Sequence, residues 1–157
     1  KMAINKHNIL WISFCCDLVI LDLFTKWLAD TYLNQPVEVL GRFLVLQVSK
    51  NPGSAVSIPL PNLMMIFGTP LLIAAATWYI VKSCDLKSVY TKLALVLFVA
   101  GGLGNLINRI WEGAVTDFID FSFFPSFNLA DAYLTIAAFI LLAFHGRIAG
   151  KDYGESK

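Results

Sequence analysis

The chain has 157 residues, 57% of them hydrophobic and 15% charged, with a formal net charge of +1 and a mean hydropathy of +0.68. Soluble domains run at about 45–50% apolar and about 25% charged, so this composition excludes an ordinary one. It also excludes a nucleic-acid binder, because no basic cluster with interleaved aromatics is present. The length suits a single domain, residues 1–157, that is organised in a membrane. Cys15 and Cys16 are adjacent in one apolar run and Cys84 follows another, which is no disulfide framework. His7 and His145 stand at the ends of different runs without ligand neighbours, so neither a metal nor another cofactor is expected.

Lys1 ahead of Met2 reads as an addition made for expression. Residues 9–28 form the first apolar run, long enough for a helix to cross a bilayer. The run has no A-x-A cleavage site and contains Asp17, Asp22 and Lys26, so it reads as an uncleaved span. Asp22 and Lys26 are four apart and share a helix face. They read as an ion pair anchoring the outer end of the span, with direct chemistry as the alternative. Asp17 lies deeper on a different face. It is expected either to be protonated and bonded to a neighbouring span or to line a polar cavity.

Residues 36–61 differ from what surrounds them. Phe43 to Val48 is short and β-branched, Asn51-Pro52-Gly53 is a turn signal, and Ala55 to Ile58 runs to Pro59 and Pro61. This predicts two short strands and a turn outside the hydrocarbon core, able to accept an extended peptide. The remaining spans are read at 63–81, with a kink at Pro70, at 92–111 and at 128–144. Residues 82–91 and 113–127 read as polar connections, and the tail 146–157 as frayed. The expected fold is a mainly α membrane protein with four transmembrane helices and a small extracytoplasmic β-sheet, a cradle, between spans one and two.

Basic residues set the orientation. Lys1, Lys6, Lys82, Lys87, Lys92, Arg147, Lys151 and Lys157 fall on one side, which the positive-inside rule makes cytoplasmic. Both termini are then cytoplasmic, and the strands and residues 113–131 share the outer face.

That outer stretch carries the chemistry. Asn105, Asn108 and Arg109 share one helix face. Amides glue helices and Arg snorkels, but the same three could hold carboxylates and bond a substrate backbone. Asn128 suits a helix N-cap, and Asp131 the first turn, where the dipole favours negative charge. Asp117 alone is an ordinary loop acid. Brought together, Asp117 and Asp131 could share one proton and cleave a peptide at the membrane surface, Asp131 being the more readily ionised. Asp120 competes with Asp117, and spacing does not choose between them.

Five ordered blocks resemble the lipoprotein signal peptidases, also called signal peptidase II. They are Asp22-Leu-Phe-Thr-Lys26, Asn51-Pro-Gly-Ser-Ala55, Gly101-Gly-Leu-Gly-Asn-Leu-Ile-Asn-Arg109, Gly113-Ala-Val-Thr-Asp-Phe-Ile119 and Phe127-Asn-Leu-Ala-Asp131. The resemblance implies a bacterial inner-membrane aspartic peptidase without a metal. It would act as a monomer among membrane lipids and cut a prolipoprotein before its diacylglyceryl-modified lipobox Cys. By motif, Asp117 and Asp131 carry the catalysis. Asn51, Gly53, Asn105, Asn108, Arg109, Asn128, Asp22 and Lys26 line or support the site. Three positions depart from the family: Asn108, where Asp is usual, and Pro52 and Val56 in the Asn-x-Gly-x-Ala-Phe block. They bear on substrate and inhibitor affinity, and Asn108 should leave Arg109 less neutralised.

Two other functions fit parts of the pattern. A proton- or ion-coupled transporter would use Asp17, Asp22, Asp117 and Asp131 as a relay, but the polar groups gather at one face and no inverted repeat is visible. A non-enzymatic scaffold would use the same side chains as helix glue.

Overall fold

The computed structural model describes residues 6–53 and 62–148. Five helices and four strands follow in the order α1 (Lys6–Tyr32), β1 (Val37–Glu38), β2 (Leu44–Asn51), α2 (Asn62–Ser83), α3 (Val89–Glu112), β3 (Val115–Phe121), β4 (Phe124–Phe127), α4 (Leu129–Ala143) and α5 (His145–Ile148). Helices α1, α2 and α3 are long and apolar enough to cross a membrane. At 15 residues, α4 is shorter. Helix α2 continues through Pro70, and α3 begins at Val89, inside the stretch read as a loop.

Helix α3 is central. Half of its apolar window is buried, against 6% for α1 and for α2. Three glycines let its neighbours close in. A Cβ on Gly101 would meet the Ala130 carbonyl oxygen of α4 at 2.5 Å, one on Gly102 would meet Ile73 of α2 at 2.7 Å, and one on Gly104 would strike the Asp22 carboxylate of α1. Ala94, Leu97 and Ala100 of α3 pack with Tyr133, Ala137 and Ile140 of α4. The outer faces of α1 and α2 stay apolar and exposed at Leu10, Ile20, Phe67 and Leu71, as lipid-facing surfaces are.

The four strands form one antiparallel sheet in the order β1-β2-β3-β4. Half of it comes from residues 115–127, which were expected to be a polar connection. The sheet therefore joins the α1–α2 and α3–α4 connections and is not confined to the first. The strand expected at Ala55 to Ile58 lies outside the described residues, as do Lys1, Val56 and the tail from residue 149. Asn51 closes β2, and its side chain accepts the Gly53 N–H as the chain leaves the strand. Gly113, at φ +78°, ends α3 and donates its N–H to the Arg109 carbonyl, a left-handed cap that suits glycine. Phe43, Phe121, Phe123 and Phe127 knit the sheet through rings 5.5–6.0 Å apart.

Candidate active site

Asp117 stands in β3, and Asp131 in the first turn of α4. Asn128 joins them. Its Nδ2 donates to Asp117 Oδ1 at 2.6 Å, and its Oδ1 accepts the Asp131 N–H at 3.0 Å. The Asn128 N–H donates in turn to Asp131 Oδ2 at 3.4 Å, completing a capping box. One buried amide thus caps a helix and holds the other carboxylate.

Each acid has a further amide donor. Asn51 Nδ2 donates to Asp117 Oδ2 at 3.1 Å, and Asn105 Nδ2 donates to Asp131 Oδ1 at 2.8 Å. Behind Asn105 the network continues inward. Lys26 Nζ donates to Asn105 Oδ1 at 2.8 Å and to Asp22 Oδ2 at 2.7 Å. Asp22 Oδ1 accepts the Ala130 N–H at 2.9 Å, so α1 supplies α4 with a second N-terminal acceptor. A buried ion pair is tolerable only when its remaining valences are filled, and here each partner has a further bond.

Asp117 and Asp131 line one cavity of about 360 Å³. Asn51, Asn105 and Arg109 supply its other polar wall, and Met65, Leu72, Ile73 and Phe98 its apolar wall. A neighbouring apolar groove of about 380 Å³, bounded by Phe124, Phe127 and Ile136, also reaches Asn51 and Asp131. Arg109 donates to the Gly53 carbonyl at 2.6 Å, and its buried Nε has no partner among the described residues. Gly53 donates its own N–H to Asn51 Oδ1 at 3.0 Å, which fixes that amide with its NH₂ toward Asp117. Burial pushes the Asp117 carboxyl up to about 6; the Asn51 and Asn128 bonds and Lys26 oppose this, and the charge of Asp131 adds to it.

Two expected placements change. Asn108 lies on the same helix as Asn105 and Arg109 but turns away from the cavity, accepting the Thr116 N–H at 2.7 Å. From α3 it holds the start of β3. Asp17 is exposed on the outer face of α1 and does not line this cavity. Asp120 accepts from Gln47 and projects from the face of β3 opposite Asp117. Asp22 and Lys26 support the site from behind and stay out of the cavity lining. Among the described residues, no three His, Cys, Asp or Glu side chains gather to hold a metal ion.

The family model for signal peptidase (SPase) II matches residues 14–146. The chain belongs to the signal peptidase II family. It is 36% identical over 146 residues to the lipoprotein signal peptidase of Acinetobacter baumannii, covering 87% of this chain and 82% of that one. It is 39% identical over 131 residues to the lipoprotein signal peptidase of Streptococcus thermophilus, covering 80% of this chain and 84% of that one. A bacterial membrane enzyme solved in meso superposes with a TM-score of 0.76 at 30% identity, covering 94% of this chain and 91% of its own. Family membership makes this a protease, and its apolar helices suit a membrane protein.

The sequence reading of this signal peptidase II chain missed Thr116. Its side chain is wholly buried, its carbonyl accepts from Asn128 at 3.3 Å, and its N–H is the one held by Asn108. The signal was available, since Val115 to Phe121 is rich in β-branched and aromatic residues.

Proposed function

We propose that the chain removes signal peptides from prolipoproteins, with Asp117 and Asp131 as its catalytic pair. The single observation that carries the reading is that both carboxylates line one cavity while sharing Asn128. A water held between them loses its proton to Asp131, whose place at the α4 N-terminus favours negative charge. Asp117 gives the pair's shared proton to the scissile carbonyl oxygen as the water oxygen bonds to the carbonyl carbon; the C–N bond then breaks, the proton taken up by Asp131 passing to the leaving amine and the carbonyl proton returning to Asp117. Arg109 lines the same cavity, where its guanidinium can meet a substrate backbone carbonyl.

The substrate is a lipid-modified peptide. The groove beside Phe124, Phe127 and Ile136 offers an apolar surface for the acyl chains, whose burial favours binding by about 0.8 kcal/mol per CH₂. In this reading the chain has four spans, the fourth being α4 extended through Phe144 into α5. Residues 129–148 then reach about 30 Å at 1.5 Å per residue, the thickness of a hydrocarbon core. Both termini face the cytoplasm and the cavity faces the outer leaflet.

Purified protein in detergent should cleave a diacylglyceryl-modified lipobox peptide before its Cys. An unlipidated copy should be cleaved at least about tenfold more slowly, since burying even two methylene groups shifts affinity by about that factor. Equal cleavage of the two peptides would remove the groove from the account, and cleavage of neither would remove the function.

A further inference from the structure

The two strands that present Asn51 and Asp117 carry a second polar cluster on their other face. Lys50 Nζ donates to Asp30 Oδ2 at 2.9 Å, to Thr116 Oγ1 at 2.8 Å and to Glu112. The Thr116 hydroxyl donates to Asp30 Oδ2 at 3.0 Å. Asp30 lies in the last turn of α1, and Glu112 is the final residue of α3. Carboxylates at helix C-termini oppose the macrodipole, so both depend on the Lys50 charge.

The cluster is one residue from the site on each strand. Lys50 precedes Asn51, and Thr116 precedes Asp117. In the antiparallel ladder Lys50 stands opposite Thr116, flanked by the pairs Ser49–Asp117 and Asn51–Val115. Strand alternation therefore puts Lys50 and Thr116 on one face and Asn51 and Asp117 on the other. The register slips by one residue between Leu46 and Ser49, so the pairs beyond the slip do not fix this end of the ladder.

We propose that Lys50 is a positioning residue: by binding Asp30, Glu112 and Thr116 behind the sheet, it sets the β2–β3 register that delivers the Asn51 amide to Asp117. This rests on the reading of Asp117 and Asp131 as the catalytic pair. Lys50 lines neither the cavity nor the groove and acts through Asn51. Its loss therefore slows turnover without weakening peptide binding, and has no further effect once the Asn51 amide is gone.

The test is steady-state cleavage of a diacylglyceryl-modified lipobox peptide by the full chain in detergent. Lys50→Met should lower kcat roughly tenfold or more and leave KM within about twofold, since small displacements of reacting groups are costly. Lys50→Arg, which keeps the cation, should restore kcat to within about threefold of the wild type. In an Asn51→Ala background, Lys50→Met should cost less than about twofold more, the signature of coupled sites. The Lys50 side chain is 43% exposed, so the variants are expected to fold. Glu112→Gln, which leaves the Lys50–Asp30 pair in place, should lower kcat less than Lys50→Met and provides an independent check. Equal losses in the two backgrounds, a loss confined to KM, or failure of Lys50→Arg to restore turnover would each overturn the proposal. An Asp117→Asn variant run alongside separates the two levels. If it is inactive while Lys50→Met is unaffected, only the positioning role falls; if it stays active, the catalytic reading beneath it falls.

Discussion

Asp131 is carried by a helix and backed by helices, whereas Asp117 is carried by a strand and backed by one end of a sheet ladder. Behind Asp131, Asn105 leads to Lys26 and Asp22, whose side chains are 1% and 0% exposed. Next to the Asn51 that holds Asp117 stand Lys50, Asp30 and Glu112, at 43%, 25% and 38% exposed. Each half has a cluster of charges near its amide, but one cluster is dry and the other wet. In the dry set, removing one charge leaves the other without solvent to stabilise it. In the wet set, water and salt take over much of what a lost partner supplied. The helical half should therefore behave as a fixed frame and the strand half as the adjustable one.

The sharpest way to break that contrast is Lys26→Met. It strands the Asp22 carboxylate in the bundle and should destabilise the protein by about 3–5 kcal/mol in a reversible denaturant titration. The double change Asp22→Leu with Lys26→Met should recover much of the loss, because a buried pair is replaced by apolar packing at lower cost than a half-pair. A nearly neutral Lys26→Met would mean that the two halves do not differ.

A smaller effect concerns Asp117 itself. Its carboxyl is pushed up to about 6 in the fold and titrates near about 4 in an unfolded chain. The folded form therefore binds the proton more tightly. The stability this gives is present below about pH 4 and is lost as pH rises through about 6, a change of at most about 3 kcal/mol. Asp117→Asn should flatten the melting temperature between pH 4 and 7 and melt higher than the wild type at pH 7. An unchanged pH slope would show that Asp117 is not the group responsible.

The smallest expected effect is that of salt. Raising NaCl from about 0.1 to about 1 M shortens the screening length from about 10 to about 3 Å. The Lys50 cluster should lose no more than about 1 kcal/mol, and Lys50→Met should remove that sensitivity. Salt sensitivity that follows Lys26 instead would invert the assignment of dry and wet halves.

The three long apolar helices were legible from the length and apolarity of their runs, and the Asn128–Asp131 cap from its three-residue spacing. Both depend on local periodicity. The Asn105–Lys26–Asp22 chain depends on how α1 meets α3, which single-run periodicity does not carry; the signal for it was the glycines at 101, 102 and 104. Reading residues 113–127 as a connection cost more. As a strand, Val115 to Phe121 puts residues 117 and 120 on opposite faces, which separates Asp117 from Asp120 by geometry alone. Asp and Thr inside that segment masked its β-branched and aromatic character. Asn108 was grouped with Asn105 and Arg109 by spacing, yet one residue is about 100° of helix, enough to turn it from the cavity to Thr116.

In our proposal Asp117 and Asp131 work as one unit on the peptide. This is tested most directly by single-turnover cleavage of a diacylglyceryl-modified lipobox peptide by the wild type, Asp117→Asn, Asp131→Asn and the double variant, each checked for retained peptide binding. Either single change should lower the rate by about a thousandfold and the double change hardly further, because residues acting as a unit are non-additive. A single variant that cleaves within about tenfold of the wild type would contradict it.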